Sequence, residues 1–489
     1  MAYPTLVLIP FCVPGHLTSM LEAGKRLLAT SRCAMSLTVL VTQMTMSANL
    51  MSDVADIIRR EEADSGFDIR FVHLPAVELP TAADGLEAFM MRFIQLHDTY
   101  VKEAISGMSS SPVAAVVVDF FCTALFDVTR ELALPVYVYF TSGASMLALM
   151  LRLPALDGEI AGDFEAMGEG AVDLPGMPPV PARLMPSPIM RKDPNYAWFV
   201  YHGNRFMEAA GIIVNTVAKL EPSILAAIAD GLCVPGRRAP TVYPIGPVMA
   251  FKPLAGDDDD EQLQLHECVR WLDAQPPASV VLLCFGSMGG SFPSPQVREI
   301  ADALEHSGHH FLWVLRGPLS PGSKCPTDAN VDELLPEGFL ERTKGRGLVW
   351  PKWAPQKDIL ANPAVGGFVT HCGWNSILES LWHGVPMAPW PLYAEQHLNA
   401  FELVSVMGVA VAMQVDRKRG NFVEAAELER VVRCLMGGSE EGRKAGKKAA
   451  EAKALCRKAV ADGGSSEASL QKLAREILHN HNDKWCGVA

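Results

Sequence analysis

Residues 367–380 read GFVTHCGWNSILES, where an apolar strand pattern passes directly into a helical pattern. The backbone N–H groups in the first turn of a helix bind anions, so a strand that leads into a helix in this way predicts a phosphate site. His371, Asn375 and Ser376 add side-chain hydrogen-bond donors at the same helix end. We therefore expect several hydrogen bonds to a pyrophosphate here, although the chain as a whole is acidic.

The carboxylate of Glu379 belongs to the same helix face. Glu379 follows Asn375 by four residues and Ser376 by three, and side chains at these spacings are neighbours on a helix. A carboxylate in this position can accept hydrogen bonds from both hydroxyl groups of a ribose. The stretch therefore predicts that the ligand is a nucleotide diphosphate.

Strand and helix patterns alternate on both sides of this stretch. In the second half of the chain, short apolar runs predict strands at Val280–Phe285, Phe311–Leu315, Gly347–Trp350, Gly367–Thr370 and Val385–Pro389. In the first half, similar runs predict strands at Thr5–Ile9, Ser36–Thr42, Asp68–Leu74, Ala114–Asp119, Pro135–Phe140 and Ile212–Asn215. Helical spacing is found at Leu17–Leu28, Leu86–Ile105, Glu440–Val460 and Ser466–Asn480. This alternation predicts an α/β fold of two doubly wound parallel sheets that face each other across a cleft and bind ligands at the carboxyl ends of their strands.

The length of the chain supports two domains. A single hydrophobic core rarely extends over 489 residues. We predict an N-terminal domain at 1–243, a linker at 244–263, a C-terminal domain at 264–460 and a C-terminal helix at 461–489 that packs back on the N-terminal domain. The linker begins after Tyr243 and contains the acidic run Asp257–Glu261.

Composition excludes several classes of partner. The formal net charge is −13, which disfavours sequence-independent binding to nucleic acid or to an anionic membrane. The 11 cysteines form no C-x-x-C pair, which favours a reducing compartment. The first ten residues do not have the pattern of a signal peptide, and the apolar run Ala144–Leu151 is far shorter than a membrane-spanning helix. We expect a cytoplasmic protein without a membrane span.

Three other ligand-binding motifs fit poorly. Gly286-Ser-Met-Gly289-Gly290 lacks the spacing of a dinucleotide-binding loop, and Gly442–Lys447 is one residue short of a P-loop and lies in a charged helical run. Asp257–Asp260 contains the D-x-D spacing of metal-dependent sugar transferases, but no strand precedes it. We interpret Asp257–Asp260 as part of a soluble linker and predict no metal site.

The segment Trp353–Gln396 resembles, without a gap, the plant secondary product glycosyltransferase box. The chain is thereby identified as a member of the plant family 1 UDP-glycosyltransferases. The resemblance implies a GT-B fold of two Rossmann-like domains, of which the N-terminal one binds the acceptor and the C-terminal one binds the UDP-sugar. It also implies transfer with inversion at the anomeric carbon.

The same resemblance implies a role for each matched residue of the box. It implies that Trp353 stacks on uracil, Ala354 contacts uracil through its backbone, Gln356 and Glu379 hold the ribose, His371, Asn375 and Ser376 hold the phosphates, Trp374 borders the sugar, and Glu395 and Gln396 bind sugar hydroxyls. Glutamine as the last residue of the box resembles members that prefer glucose, whereas histidine there is associated with galactose. Outside the box, Ser287 resembles a second phosphate contact and Thr141 a contact to the 6-hydroxyl of glucose.

A histidine and an aspartate are the candidate catalytic pair. An alcohol is a weak nucleophile until a base removes its proton, and imidazole titrates near neutral pH. His16 follows the strand Thr5–Ile9, and Asp119 ends the strand Ala114–Asp119 at the same carboxyl edge of a parallel sheet. A carboxylate there can fix the imidazole tautomer and stabilise the imidazolium ion. Both residues also match the His–Asp dyad of the family.

These residues predict a single in-line displacement with His16 as the base. The leaving group is UDP, whose charge the helix-end N–H groups can stabilise, so we expect no metal and no cofactor besides the co-substrate UDP-glucose. An alternative of a different class is a non-catalytic UDP-sugar-binding protein. The intact pair of His16 and Asp119 favours the enzyme.

The acceptor is expected to be small and apolar. We place its site near Phe11, Phe120, Phe121 and the Pro- and Met-rich stretch Leu174–Met190, because apolar walls with few polar groups suit flat phenols. A hydroxyl of a phenolic or flavonoid acceptor is the main prediction. A terpenoid or hormone alcohol and glycosylation at carbon are the alternatives, and we expect a monomer.

Overall fold

The computed structural model describes residues 3–43, 48–64, 66–80, 85–108, 111–249, 267–319 and 326–486. The chain forms two compact units, of which the first comprises Met1–Ala250 with Arg457–Ala489 and the second comprises Phe251–Cys456. From residue 250 onward the predicted linker, with its acidic D-x-D sequence, lies outside the described residues.

The first unit is built on a seven-stranded sheet in which every described pairing is parallel. Its strands are β1 (Thr5–Ile9), β2 (Ser36–Val41), β3 (Ile69–His73), β4 (Val113–Asp119), β5 (Val136–Phe140), β8 (Gly211–Val214) and β9 (Val242–Pro244). They lie in the order β3-β2-β1-β4-β5-β8-β9. A small antiparallel pair, β6 (Ala171–Val172) and β7 (Val180–Pro181), lies outside this sheet. The strands predicted in this half are all present, and none of their ends differs from the prediction by more than one residue.

Strand β9 is the strand of this sheet that the sequence pattern did not predict. It pairs with β8 alone, at the edge of the sheet. Proline cannot donate a ladder hydrogen bond, which is why Pro244 is tolerated only where no strand lies on the other side. A pattern typical of a loop, Tyr243–Pro247, therefore begins inside a strand.

The helices of the first unit cover both faces of its sheet. They are α1 (Pro14–Thr30), α2 (Ala48–Asp64), α3 (Leu86–Gln95), α4 (Asp98–Ser106), α5 (Phe126–Glu131), α6 (Ala144–Glu159), α7 (Pro194–Phe206) and α8 (Pro222–Ala229). Helix α1 begins at Pro14 and not at Leu17 as predicted, because proline at the first helical position has a suitable φ angle and needs no N–H partner.

The predicted helix Leu86–Ile105 is interrupted between α3 and α4. The ring nitrogen Nδ1 of His97 lies 2.8 Å from the carbonyl oxygen of Phe93, and the backbone N–H of His97 donates instead to Ile94. The imidazole thus takes the carbonyl that the α-helical ladder would use. The interruption is a side-chain effect that the apolar periodicity does not reveal.

The second unit repeats the same plan with a five-stranded parallel sheet. Its strands are β10 (Val280–Cys284), β11 (His310–Val314), β14 (Gly347–Trp350), β15 (Val365–Thr370) and β16 (Met387–Pro389), in the order β14-β11-β10-β15-β16. An antiparallel pair, β12 (Arg316–Leu319) and β13 (Pro326–Asp328), lies beside it. The two doubly wound sheets confirm the predicted α/β fold class.

Helices also flank the second sheet. They are α9 (Ser294–Ser307), α10 (Val331–Leu334), α11 (Phe339–Arg342), α12 (Gln356–Ala361), α13 (Trp374–His383), α14 (Gln396–Ser405), α15 (Ala425–Arg433) and α16 (Glu440–Val460). Trp313 and Trp390 are among the largest side chains buried in the core that these helices and the sheet share.

The C-terminal helix α17 (Ser465–Cys486) belongs to the first unit. Its buried residues Leu470, Leu473 and Ile477 join the apolar core that α1 and the first sheet form. The Ser466 hydroxyl donates to the carbonyl of Gly246 at 2.5 Å. None of the helices in the described ranges combines the length and the apolarity that crossing a lipid bilayer requires.

Candidate active site

The dyad lies at the point where the strand order of the first sheet reverses. Strands β1 and β4 are neighbours, and the chain leaves them toward opposite edges of the sheet. In open α/β sheets, ligands bind at the carboxyl ends of the strands at this switch point. His16 lies in the first turn of α1, just after β1, and Asp119 is the last residue of β4.

The side chains of His16 and Asp119 form a hydrogen-bonded pair. Nδ1 of His16 lies 2.8 Å from Oδ2 of Asp119. The carboxylate is fully buried, whereas 22% of the histidine side chain remains exposed. The second carboxylate oxygen, Oδ1, accepts the backbone N–H of Phe121 at 3.0 Å and so caps the 3-10 turn Phe120–Leu125. The aspartate is thus held by the backbone that follows it.

This geometry selects one tautomer of His16. An ionised carboxylate only accepts hydrogen bonds, so Nδ1 must carry the proton that it donates to Asp119. The lone pair then lies on Nε2, the nitrogen that can take a proton from another molecule. The arrangement is that of a general base oriented by a buried carboxylate.

Aromatic rings surround the His16 imidazole. Its ring centroid lies 6.0 Å from that of Phe11, 5.8 Å from that of Phe120 and 5.7 Å from that of Phe121. Phe120 and Phe121 are themselves only 3.9 Å apart. The structure therefore brings the three predicted acceptor-site residues together around the candidate base.

His202 of α7 is a further residue of this cluster that the sequence pattern did not single out. Its ring lies 6.1 Å from that of Phe121, and its Nδ1 lies 2.8 Å from the hydroxyl oxygen of Thr123. Burial lowers the pKa of His202 to about 3, so the ring is neutral at physiological pH. A lone histidine on an amphipathic helix carries no distinguishing sequence signal.

Part of the predicted Pro- and Met-rich wall contacts the same helix, α7. Its turn Ser187–Ile189 packs against α7, which also contacts the Phe120–Leu125 turn. Met185 and Ile189 are fully buried in the first unit. The turn Ser187–Ile189 therefore supports α7, and the role of the stretch Leu174–Met190 toward an acceptor stays a prediction.

Thr141 follows β5, the strand next to β4. Tyr139 of β5 pairs directly with Asp119, so the residues just beyond Phe140 lie at the same sheet edge as the dyad. Thr141 is partly exposed, whereas the residues from Ser142 to Leu151 are buried. Thr141 is thus the residue of this turn that can reach a ligand.

The second unit has an equivalent switch point between β10 and β15. Ser287 follows β10, and His371 follows β15. A Cβ atom added to Gly286 would lie 2.7 Å from the His371 ring, and one added to Gly373 would lie 2.5 Å from its Nε2. The imidazole therefore packs against two glycines, and the loops that carry Ser287 and His371 are in direct contact.

His371 is neutral and has an unused polar atom. Burial lowers its pKa to about 4. Its Nδ1 is buried and has no hydrogen-bond partner within the described ranges. Since a buried polar atom normally has a partner, this arrangement favours a ligand group at the ring. A neutral imidazole binds such a group by a hydrogen bond and not as a cation.

Helix α13 begins at Trp374, three residues later than His371. Its N-cap residue is Gly373, which has no side chain with which to cap the helix. The helix start is therefore suited to an external anion. The preceding turn is held by Asn399, whose side-chain amide donates to the carbonyl of Cys372 at 3.0 Å. Asn375 is exposed at this end, while Ser376 is buried.

Gln356 and Glu379, the predicted ribose-binding pair, lie side by side. Nε2 of Gln356 donates to Oε2 of Glu379 at 2.7 Å and to the Ser376 hydroxyl at 2.8 Å. Burial raises the pKa of the Glu379 carboxyl, and the hydrogen bond from Gln356 opposes this rise. The side-chain carbonyl oxygen of Gln356 is buried. Like Nδ1 of His371, it has no hydrogen-bond partner among the described residues.

The two residues predicted to contact uracil differ in exposure. The Trp353 side chain is 50% exposed, which is unusual for an indole ring, while its backbone carbonyl accepts the Trp350 indole N–H at 3.1 Å. Ala354 is buried, and its carbonyl accepts the backbone N–H of Gln356 at 2.8 Å. An exposed indole face on a fixed backbone is suited to stacking.

The end of the box has a feature that the sequence did not reveal. Gln396, the first residue of α14, is 2% exposed. Its side-chain carbonyl accepts the backbone N–H groups of Leu392 at 2.8 Å and of Tyr393 at 3.0 Å. The amide group is thus oriented by the loop after β16, and the Gln396 side chain also hydrogen-bonds the Tyr393 side chain. Glu395 precedes it as the N-cap residue, and Trp374 is buried.

The two groups of candidate residues belong to different units, the dyad with Thr141 to the first and the box with Ser287 to the second. In the parts of the chain that the structure describes, no three His, Cys, Asp or Glu side chains form a group that could hold a metal ion.

The chain is similar in sequence to known proteins. Residues 246–434 match the family model of the UDP-glucoronosyl and UDP-glucosyl transferases. The chain is 58% identical over 484 residues to a malvidin galactosylase of Oryza sativa subsp. japonica, with 98% of each protein covered. It is 40% identical over 481 residues to an anthocyanidin 5,3-O-glucosyltransferase of a Rosa hybrid cultivar, with 96% of this chain and 98% of the relative covered.

A solved structure is similar over nearly the whole length. The Medicago truncatula UGT71G1 structure, complexed with UDP-glucose, superposes with a TM-score of 0.84 at 36% sequence identity. The similarity covers 97% of this chain and 98% of that one.

Proposed function

The chain belongs to the family of UDP-glucoronosyl and UDP-glucosyl transferases, and on that basis we propose that it transfers glucose from UDP-glucose to a hydroxyl group of a small phenol such as a flavonoid. It is a UDP-glycosyltransferase, and the proposal concerns its donor sugar, its acceptor and the roles of its residues. The observation that carries the proposal is the pair of His16 and Asp119 among aromatic rings.

In the proposed reaction, Nε2 of His16 takes the proton of the acceptor hydroxyl as the oxygen attacks C1 of the sugar. The new bond joins the acceptor oxygen to C1, and the bond from C1 to the diphosphate breaks on the opposite face. Configuration at C1 therefore inverts, and UDP leaves. Asp119 stabilises the imidazolium ion that forms.

The donor residues of the second unit have matching tasks. Ser287, His371, Asn375 and Ser376 bind the diphosphate, and the start of α13 stabilises the charge that grows on it. Gln356 and Glu379 bind the ribose, and Trp374, Glu395 and Gln396 bind the sugar. Since hydrogen-bond donors replace a cation in this scheme, we propose that neither a metal nor a further cofactor takes part.

The acceptor proposal rests on the aromatic ring cluster and on the named relatives. The rings of Phe11, Phe120 and Phe121 lie beside the base, and flat aromatic acceptors pack well against aromatic rings. The relatives act on malvidin and on anthocyanidins. A terpenoid or hormone alcohol and transfer to carbon are the alternatives that the acceptor panel below tests.

The reaction itself is tested by incubating the purified protein with UDP-glucose, a panel of flavonoids, simple phenols and terpenoid alcohols, and EDTA. We expect UDP release and a mass increase of one hexose on a flavonoid. A hexose that survives acid hydrolysis would instead show transfer to carbon. If no acceptor gains a hexose although UDP-glucose binds, the protein is a UDP-sugar-binding protein and not this enzyme.

Galactose is the second candidate sugar, because the relative at 58% identity is a galactosylase. Gln396 favours glucose by the family pattern, and the loop after β16 fixes its amide. We expect competition between UDP-glucose, UDP-galactose and UDP-xylose to favour UDP-glucose. Equal use of the three donors, or a preference for UDP-galactose, would show that Gln396 does not decide the sugar.

Replacing Trp353 with alanine tests the proposed uracil site. Stacking of a base on an aromatic ring contributes about 1–3 kcal/mol, so the Kd for UDP should rise roughly tenfold. Trp353→Phe should restore most of the affinity, and Trp198→Ala, a change in the first unit, should leave it unchanged. Titration calorimetry with UDP measures all three variants. An unaltered Kd in Trp353→Ala would exclude stacking on Trp353.

We also propose that the protein is a cytoplasmic monomer. No disulfide joins any of the cysteines that the structure describes, and this supports a reducing compartment. Sedimentation of the purified protein tests the monomer.

A further inference from the structure

Glu221 is a buried carboxylate that the proposed reaction does not use. It is the N-cap residue of α8, and its side chain is fully buried. A buried charge is costly unless hydrogen bonds or opposite charge compensate it. Oε1 of Glu221 accepts the backbone N–H of Ser145 at 2.8 Å, and Oε2 accepts the Thr216 hydroxyl. The carboxylate is thus held between two other elements of the first unit.

The bond to Ser145 caps α6 from a distance. Ser145 is the second residue of α6, whose own N-cap is Gly143 and has no side chain. A carboxylate at the amino end of a helix satisfies a first-turn N–H group and interacts favourably with the helix dipole. Glu221 therefore supplies the cap that Gly143 lacks, and it ties the start of α6 to α8.

The turn that this cap holds follows β5, the strand that pairs with the Asp119 strand β4. Residues 141–143 connect β5 to α6, and Tyr139 of β5 pairs with Asp119. Ser142 is 5% exposed and Ser145 is fully buried, whereas Thr141 is partly exposed. Since Thr141 lies only three residues before α6, a displacement of the first turn that Glu221 holds would also displace Thr141.

We propose that Glu221 is a positioning residue for the transferred sugar. It holds the β5–α6 turn so that the Thr141 hydroxyl contacts the hydroxymethyl group at C6 of a hexose while C1 lies near His16. The inference rests on the proposed function, because it assumes a hexose donor. It extends that function to a residue that touches neither the donor nor the acceptor.

The experiment compares donors with and without the C6 group. UDP-xylose lacks it, so the ratio of kcat/KM for UDP-glucose to kcat/KM for UDP-xylose reports the Thr141 contact. Glu221→Asp keeps the charge but shortens the side chain by one methylene, which withdraws Oε1 from Ser145. A hydrogen bond contributes on the order of 1 kcal/mol net, so we expect the ratio to fall about fivefold. Where UDP-xylose reacts too slowly, its inhibition constant against UDP-glucose replaces its kcat/KM.

Two companion variants separate positioning from a general structural role. Glu221→Gln retains a carbonyl oxygen for Ser145 and should keep the ratio near that of the wild type. Thr141→Val should lower the ratio as much as Glu221→Asp does, and the double variant should lower it no further, since coupled residues are not additive. If Glu221→Asp lowers kcat/KM equally for both donors, or lowers it for neither, the proposal is overturned.

Thr141→Val keeps the proposal testable if Glu221→Asp does not fold. If Thr141→Val leaves the ratio of the two kcat/KM values unchanged, the proposal is contradicted, irrespective of the results for the Glu221 variants. The wild-type enzyme separates this result from the proposed function. Absence of any hexose transfer by the wild type contradicts the proposed function, whereas wild-type transfer with unchanged ratios contradicts only the role of Glu221.

Discussion

His16→Ala is expected to lower kcat for glucosyl transfer by at least about 100-fold while the Kd for UDP stays within about twofold of the wild-type value. The reason is the hydrogen bond between Nδ1 of His16 and Asp119, which leaves the lone pair of Nε2 to accept the acceptor proton. The residues proposed to bind the diphosphate all belong to the second unit, so removing His16 should not alter UDP binding. Steady-state kinetics with a flavonoid acceptor, together with calorimetric titration of UDP, measures both quantities.

The loss of kcat in His16→Ala should depend on the acceptor. A phenol that is already ionised at the assay pH needs no base, so His16→Ala should slow it less than it slows an aliphatic alcohol. His73→Ala is the matched control, because His73 is an exposed histidine of the same sheet. Near-normal turnover by His16→Ala with a neutral alcohol would falsify the role of general base.

Asp119→Asn should lower kcat by about 10²- to 10⁴-fold without loss of the fold. In the wild type, Oδ1 of Asp119 accepts the backbone N–H of Phe121, and Oδ2 receives Nδ1–H of His16. Asparagine can keep the first bond through its carbonyl oxygen, but it then presents an NH₂ group to His16. The imidazole must accept at Nδ1 and carry its proton on Nε2, where it can no longer act as a base.

The control for this substitution is Asp230→Asn, which changes an exposed aspartate at the end of α8. We expect wild-type kinetics for it and an unchanged melting temperature for both variants. If Asp119→Asn retains kcat within a few-fold of the wild type, the carboxylate does not set the tautomer of His16. A large loss of stability with unchanged kcat would show that Asp119 serves only to cap the Phe120–Leu125 turn.

The strands and their order along the chain were predictable, because an apolar run in a parallel sheet is buried on both faces and stands out in the sequence. Two departures from the predicted elements have local physical causes. Pro244 lies in an edge strand, where its missing N–H is tolerated, and the His97 imidazole takes a backbone carbonyl that the helical ladder needs. Neither effect alters apolar periodicity, so the pattern alone could not reveal them.

The candidate site was predictable in part. The box from Trp353 to Gln396 is contiguous, so its strand-to-helix transition and its residue types can be read directly from the chain. The orientation of the Gln396 amide could not be predicted in this way, because backbone N–H groups of the preceding loop donate to its side-chain carbonyl. His202 and Glu221 were not predicted, because their importance comes from neighbours far away in sequence.

By itself, the sequence determined the α/β class, the two parallel sheets and the residues at the carboxyl ends of their strands, because burial and backbone hydrogen bonding impose short-range periodicities. Only the tertiary structure decided which strand ends are adjacent. His16 and Asp119 are more than one hundred residues apart, yet they meet at 2.8 Å because β1 lies next to β4. Strand order depends on the packing of the whole unit, and no local pattern encodes it.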